Sequence, residues 1–148
     1  MAHFTRRFAA DGPRVDTVFH VSQPRYEALQ AAGTPPPIPF RGRALLDTGA
    51  DSTCVDPTVL EHLGLHPRGL ARMLTPSTGD DYHRATEFDV SIIIPPAKQE
   101  DTALVLSAQR VTRSTLLRSG IHALIGRDVL QHCIFHYEGA VGFFSLAW

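Results

Sequence analysis

Asp47-Thr48-Gly49 is the place in this chain where residue type and spacing first point to chemistry. A carboxylate can polarise a water for attack on an amide carbonyl only if a second group manages the proton. Two aspartates about 3 Å apart solve this by sharing one proton, because like charges that close cannot both ionise. One then acts as base toward the water while its protonated partner donates to the carbonyl oxygen. Thr48 suits the position behind the acid, where a hydroxyl can lock a loop by hydrogen bonding. Gly49 permits close backbone approach. Leu45 and Leu46 precede the acid, as expected of a buried strand leading out to a loop.

Only one such acid triplet is present, since Ser77-Thr78-Gly79 lacks the carboxylate. One chain therefore holds half of a dyad, and a two-fold mate is expected to supply the other half. Other groups fit chemistry less well. Ser52 and Ser77 have no recognisable base arrangement, so nucleophilic catalysis is not supported. His132, Cys133 and His136 cluster in sequence but share a face only on a continued helix, whereas Ile134 to Tyr137 reads as strand; no metal site and no cofactor are expected. Cys54 and Cys133 read as small buried hydrophobes, with a single long-range bridge left open. Asp56 reads as a helix cap.

The elements that must position Asp47 are mostly strands. Val15 to Val21 alternates; Pro24 to Ala32 reads as a short helix ended by Gly33, and Thr34 to Pro39 as an extended lead-in. Arg43 to Leu46 and Thr53 to Val55 flank the acid loop. Asp56-Pro57 starts a helix that ends at Gly64. Ala71 to Leu74 and Ala85 to Ile94 form two strands around a turn-rich stretch, with Phe88, Val90, Ile92 and Ile94 on one face. Leu104 to Leu106 is a further strand, followed by a poorly defined segment through Gly120. Arg127 to Cys133 is a short helix, and the last residues form a hairpin around Glu138-Gly139-Ala140.

The 148 residues suit one domain with a real core, and 43% hydrophobic against 20% charged residues is an ordinary globular balance. A net charge of −1 without like-charge runs gives no reason to expect nucleic acid or an anionic membrane as partner. The N-terminus lacks a secretory apolar core and no stretch is long enough to span a bilayer, so the expected location is cytoplasmic.

Leu45-Leu46-Asp47-Thr48-Gly49-Ala50-Asp51-Ser52-Thr53 resembles the active-site loop of retroviral proteases and their cellular relatives. Leu124-Ile125-Gly126-Arg127-Asp128-Val129-Leu130, with Gly126 79 positions after Asp47, resembles their second signature. The resemblance spans Arg43 to Trp148 and implies an all-β, closed retropepsin-type barrel with two or three short helices, one near the C-terminus. Residues 1–40 would be an N-terminal extension and 41–148 the peptidase domain.

The resemblance further implies an aspartic endopeptidase active as a homodimer, holding an extended peptide or protein substrate under a flap. Asp47 would be the catalytic aspartate, with Thr48, Gly49 and Ala50 supporting it and Thr48 interlocking with its mate. Asp51 and Arg127 would be a bracing ion pair, and Ile125 and Gly126 the second signature. Met73 to Arg84 sits where the family has its flap, with Leu74, Thr75, Pro76, Ser77, Thr78 and Gly79 toward substrate. The apolar terminal strand Val141 to Trp148 would interleave across the dimer. Ala50 has no hydroxyl to offer the dyad, so activity should be acidic but reach mildly acidic pH. The alternative is a non-catalytic dimeric peptide-binding or scaffolding module on the same fold.

Overall fold

The computed structural model describes residues 1–73 and 83–148. In chain order the elements are β1 (His3–Arg7), β2 (Arg14–Val21), α1 (Gln23–Ala31), β3 (Phe40–Leu46), β4 (Cys54–Val55), α2 (Pro57–His62), β5 (Gly69–Met73), β6 (His83–Ile94), β7 (Leu104–Arg113), β8 (Ala123–Ile125), α3 (Arg127–Leu130), β9 (Ile134–Glu138) and β10 (Phe143–Ala147). A single 3-10 turn, Leu117–Ser119, lies between β7 and β8.

Period-two alternation decides which faces point inward. In β2 the residues Val15, Thr17, Phe19 and Val21 are buried while their neighbours are not. In β6 the residues Phe88, Val90, Ile92 and Ile94 are buried, and a register shift between Val90 and Ile92 lets Ser91 sink as well. These strands close on themselves in the order β2-β3-β8-β4-β7-β6 and back to β2, a six-stranded barrel with no free edge over that circuit. One edge of β6 carries both β5, along His83 to Glu87, and β2, along Val90 to Ile93. A second sheet, β1-β10-β9, packs Phe4, Phe144 and Leu146 into the same core.

Several sequence expectations change here. The segment after Leu106, expected to be poorly defined, is the rest of a ten-residue β7. Its exposed Ser107, Ala108 and Arg110 hide the alternation, and pairing to β6 and β4 supplies the order. The first residues carry no pattern that predicts an element, because Phe4 is a lone apolar residue among polar ones. They form β1 because β10 pairs with them from His3↔Ala147 to Arg7↔Phe143. Residues 1–40 thus contribute β1 to the small sheet and β2 to the barrel. The apolar C-terminal strand does not lie open for exchange with a mate. It is paired on both sides within its own chain, with Trp148 edge-on to Phe4 and its Nε1 donating to the Thr102 carbonyl at 2.9 Å.

Asp56 caps α2, accepting from the Thr58 N–H at 3.0 Å and the Thr58 hydroxyl at 2.8 Å through Oδ1. Its Oδ2 reaches a second segment, accepting from the N–H groups of Leu116 (2.7 Å) and Leu117 (3.1 Å). One buried carboxylate therefore fixes both the helix start and the loop entering the 3-10 turn. Burial by itself would push this carboxyl up, but the three N–H donors and the hydroxyl outweigh it and hold it below the usual carboxylate value.

A group with a depressed native pKa stabilises the fold above its unfolded value and loses that contribution as pH falls through the native one. Asp56→Asn, which turns an amide NH₂ toward two N–H donors, should cost about 2–4 kcal/mol at neutral pH. The gap to wild type should narrow below about pH 4. Urea unfolding of both proteins across that range checks the sign and the size.

Candidate active site

β3 and β8 run parallel, with Ala44↔Ala123, Leu45↔Leu124 and Leu46↔Ile125 side by side. The acid loop and the Gly126 segment therefore leave the barrel at the same point. The Asp47 N–H extends this ladder by one bond, to the Ile125 carbonyl at 2.9 Å. The chain then turns at once: the Asp47 carbonyl accepts from the Ala50 N–H at 3.3 Å, and Asp47 Oδ1 accepts from the Gly49 N–H at 2.8 Å. This side-chain turn pins the carboxylate to its own loop. Asp47 is half-buried, whereas Thr48 and Gly49 are exposed at the tip.

Gly126 seals the arrangement from below. A Cβ there would lie 2.7 Å from the Ser52 carbonyl carbon, 2.8 Å from its oxygen and 3.0 Å from the Ala50 oxygen. No side chain fits between the start of α3 and the acid loop. The Arg127 N–H donates to the Ala50 carbonyl at 2.9 Å, and Arg127 Nη1 donates to the Thr48 carbonyl at 2.7 Å. The same guanidinium pairs with the Asp51 carboxylate. Both partners are more than half exposed, so the charge pair itself adds little stability. Its consequence is geometric, because it aims the guanidinium at the backbone of the loop.

Sequence reasoning missed a second brace, built on Thr53 and Asp128. Thr53 is fully buried; its hydroxyl donates to Asp128 Oδ1 at 2.7 Å and accepts from the Gly126 N–H at 3.1 Å. Asp128 Oδ2 accepts from the Thr53 N–H and from Gln109 Nε2, each at 2.9 Å, and Oδ1 also takes the Val129 N–H at 2.9 Å. β4, β7 and α3 thus meet at one carboxylate. The only sequence signal was an acid in the first turn of a short helix, which is favourable there for reasons of dipole alone.

Leu74, Thr75, Pro76, Ser77, Thr78 and Gly79 lie outside the described residues. The strands on either side of them, β5 and β6, pair up to Met73↔His83. Two cavities share Met73 and Thr112. One, of about 450 Å³, is lined by Ser52, Arg68, Gln109 and Asp128 among others; the second, of about 370 Å³, by Cys54, Ala85, Thr112 and Ser114. A larger space of about 590 Å³ lies away from Asp47, on the outer side of β2 and β3 beside Arg41, Arg43 and His122. Size therefore does not mark the site; the convergence of chemistry on Asp47 does.

Both cysteines are free thiols. Burial pushes the Cys54 thiol up against the Leu124 and Ser114 hydrogen bonds, and the negative charges of Asp47 and Asp128 add to the rise. Burial alone pushes the Cys133 thiol up to about 11. α3 ends at Leu130, so His132 and His136 do not share a helical face. Among the described residues no group of three or more His, Cys, Asp or Glu side chains is placed to hold a metal ion. No helix among them is long and apolar enough to cross a membrane.

Residues 39–129 match the family model described as aspartyl protease. Among solved structures, a retropepsin-like aspartic protease from Rickettsia conorii is similar at 12% sequence identity and a TM-score of 0.58, over 99% of this chain and 90% of that one. At that identity the likeness speaks for the fold, which is retropepsin-like. No curated protein matches the sequence.

Thr53→Val should leave the Gly126 N–H and one Asp128 oxygen short of a partner at the base of the acid loop. A loss of about 1–3 kcal/mol in urea unfolding is expected. A change within about 0.3 kcal/mol would show that the Thr53 hydroxyl contributes no net stability there.

Proposed function

This chain belongs to the aspartyl protease family, and we propose that it is an aspartic endopeptidase that works as a homodimer, with Asp47 of each copy forming the catalytic dyad. The observation that carries the reading is the isolation of Asp47. It stands at the mouth of the barrel on an exposed loop, held by the Gly49 N–H, while the loop around it is fixed by Gly126 and Arg127. A lone carboxylate so placed has no second acid within its own loop: Asp51 is engaged by Arg127, and Asp128 is consumed by Thr53 and Gln109.

On this reading a second copy brings its own Asp47 to within about 3 Å, and the pair shares one proton. The ionised member draws a proton from the attacking water while the protonated member donates to the substrate carbonyl. As the tetrahedral intermediate collapses, a proton passes to the leaving amine and the dyad returns to its single shared proton. Thr48, exposed at the loop tip, would meet its counterpart across the two-fold axis. Gly49 and Ala50 would present backbone to the substrate, and residues 74–79 would close over it. An extended peptide fits such a site because it offers backbone donors and acceptors as an added strand does. The cavity lined by Ser52 and Asp128 would supply room for a side chain flanking the scissile bond.

Cleavage of an unstructured protein such as casein, from about pH 3.5 to about pH 7.5, tests the proposal. Wild type should cleave best in the acidic part of that range, with specific activity rising with protein concentration as the dimer forms. Asp47→Asn, which removes the proton-sharing pair but keeps the side chain's size, should lose at least about a thousandfold in rate. Equal cleavage by both proteins would dismiss Asp47 as the catalytic group. A wild type that is dimeric but cleaves nothing would favour a peptide-binding module.

A further inference from the structure

The space of about 590 Å³ on the outer side of β2 and β3 takes no part in the acid loop. Its walls include Asp16 and Val18 of β2, Arg41 and Arg43 of β3, and Pro95 and His122. Alternation decides which side chains stand there. Val15, Thr17 and Phe19 of β2 and Ala44 and Leu46 of β3 are buried, so Asp16, Val18, Arg41 and Arg43 face outward.

Charge on this face does not cancel. In the register Arg43 lies opposite Asp16 and Arg41 opposite Val18. Asp16 Oδ2 is already engaged by Arg6 Nη1 at 3.2 Å. Among the described residues no ion pair joins Arg41 or Arg43 to an acid. Three guanidinium groups therefore share one carboxylate, and positive charge is left over beside the cavity.

His122 adds a directed donor. The Arg43 N–H donates to His122 Nδ1 at 3.2 Å, so that nitrogen is the acceptor and the ring proton sits on Nε2. The His122 N–H donates to the Arg43 carbonyl at 2.7 Å, which fixes the residue at the edge of β3. Gly42 leaves room for it: a Cβ there would lie 3.1 Å from Cβ, Cγ and Nδ1 of His122. Arg14 holds the turn before His122 against β2, its Nη2 donating to the Ser119 carbonyl at 3.0 Å and its Nη1 to the Gly120 carbonyl at 3.4 Å. Val18 and Pro95, both partly buried, give the same cavity an apolar stretch.

The groups present select the kind of anion. A carboxylate has one planar pair of oxygens and fills one guanidinium fork. A phosphate group has three oxygens in three directions and can answer two forks and an N–H together. Outward positions two apart on a strand are separated by about 7 Å, a gap that two long arginine side chains close around one such group. We propose that this cavity binds a small organic phosphate, its phosphate group held by Arg41, Arg43 and His122 Nε2 and its organic part against Val18 and Pro95. Arg43 and His122 each stand four positions before Asp47 and Gly126, about 13 Å along the chain. The site is thus separate from the acid loop and stands whether or not Asp47 is catalytic.

Titration of isotopically labelled protein with phenyl phosphate, inorganic phosphate or benzoate, at constant ionic strength, tests this through the amide shifts of Gly42 and His122. Phenyl phosphate should saturate with a dissociation constant of about 1 mM or tighter, and the other two should bind at least about tenfold more weakly. In Arg41→Gln/Arg43→Gln the affinity for phenyl phosphate should fall at least about tenfold. Arg7→Gln/Arg25→Gln, which removes the same charge elsewhere on the surface, should change it by less than about twofold. All four side chains are exposed, and the dispersion of the amide spectrum checks that the fold is kept. No saturable shift in wild type up to about 20 mM phenyl phosphate would overturn the site. So would equal affinity in Arg41→Gln/Arg43→Gln, or an equal loss in Arg7→Gln/Arg25→Gln. Benzoate binding as tightly as phenyl phosphate would overturn the choice of phosphate, and inorganic phosphate binding as tightly would overturn the role given to Val18 and Pro95.

Discussion

The parallel pairing of β3 with β8 is the contact on which the rest depends. Two strands far apart in sequence end at the same height, so that Leu46 and Ile125 are neighbours and Asp47 bonds to the last carbonyl of β8. Parallel neighbours need a long crossover between them, and here the crossover carries three of the six barrel strands. β4, α2, β5, β6 and β7 all lie between the two strands in sequence, and β4, β6 and β7 return to close the barrel with them. A fold of such long-range contacts has little local order to lean on. The close approach of Gly126 to the Ser52 and Ala50 carbonyls is then a consequence of the pairing: once the strands are aligned, only a glycine fits.

The aspartates near this point divide by how their oxygens are used. Asp56 takes four donors and joins α2 to the loop after β7. Asp128 also takes four, from Thr53, Gln109 and Val129, and joins three elements. Asp51 faces a guanidinium. Donors on other segments occupy the oxygens of Asp56 and Asp128, which makes each of those two a structural anchor. Asp47 has one backbone donor and is half-buried beside the exposed loop tip, Thr48 and Gly49. Asp51, through Arg127, and Asp128, through Thr53 and the Gly126 segment, brace the loop that carries the less encumbered Asp47.

The small sheet gives the molecule a second, separate logic. β1 and β10 tie the two ends of the chain together, and Phe4, Phe144 and Trp148 pack edge to face over that seam. The terminal residues thereby become part of the core, and the apolar character of the last strand is explained within one copy. β9 follows α3 after three residues, and its Tyr137 stacks on Phe8.

Much of this was legible in the residues themselves. Alternation marked β2 and β6; Asp56-Pro57 marked the start of α2 and Gly64 its end; the apolar pairs before Asp47 and Gly126 marked two buried strands. Local chemistry decides these features, because side-chain period, cap and turn preferences act over a few residues. The retropepsin-like fold was legible by another route, the resemblance of two short motifs, in the right order, to a known family. Tertiary structure decided the rest. β1 and the second half of β7 have weak patterns and exist because long-range ladders to β10, β6 and β4 complete them. The second oxygen of Asp56, the meeting of Thr53 with Asp128, and the placement of β10 between β1 and β9 each join residues some sixty or more positions apart. No local rule reaches that distance. Only the closing of the barrel brings those groups together, and with it the hydrogen bonds that hold the acid loop in place.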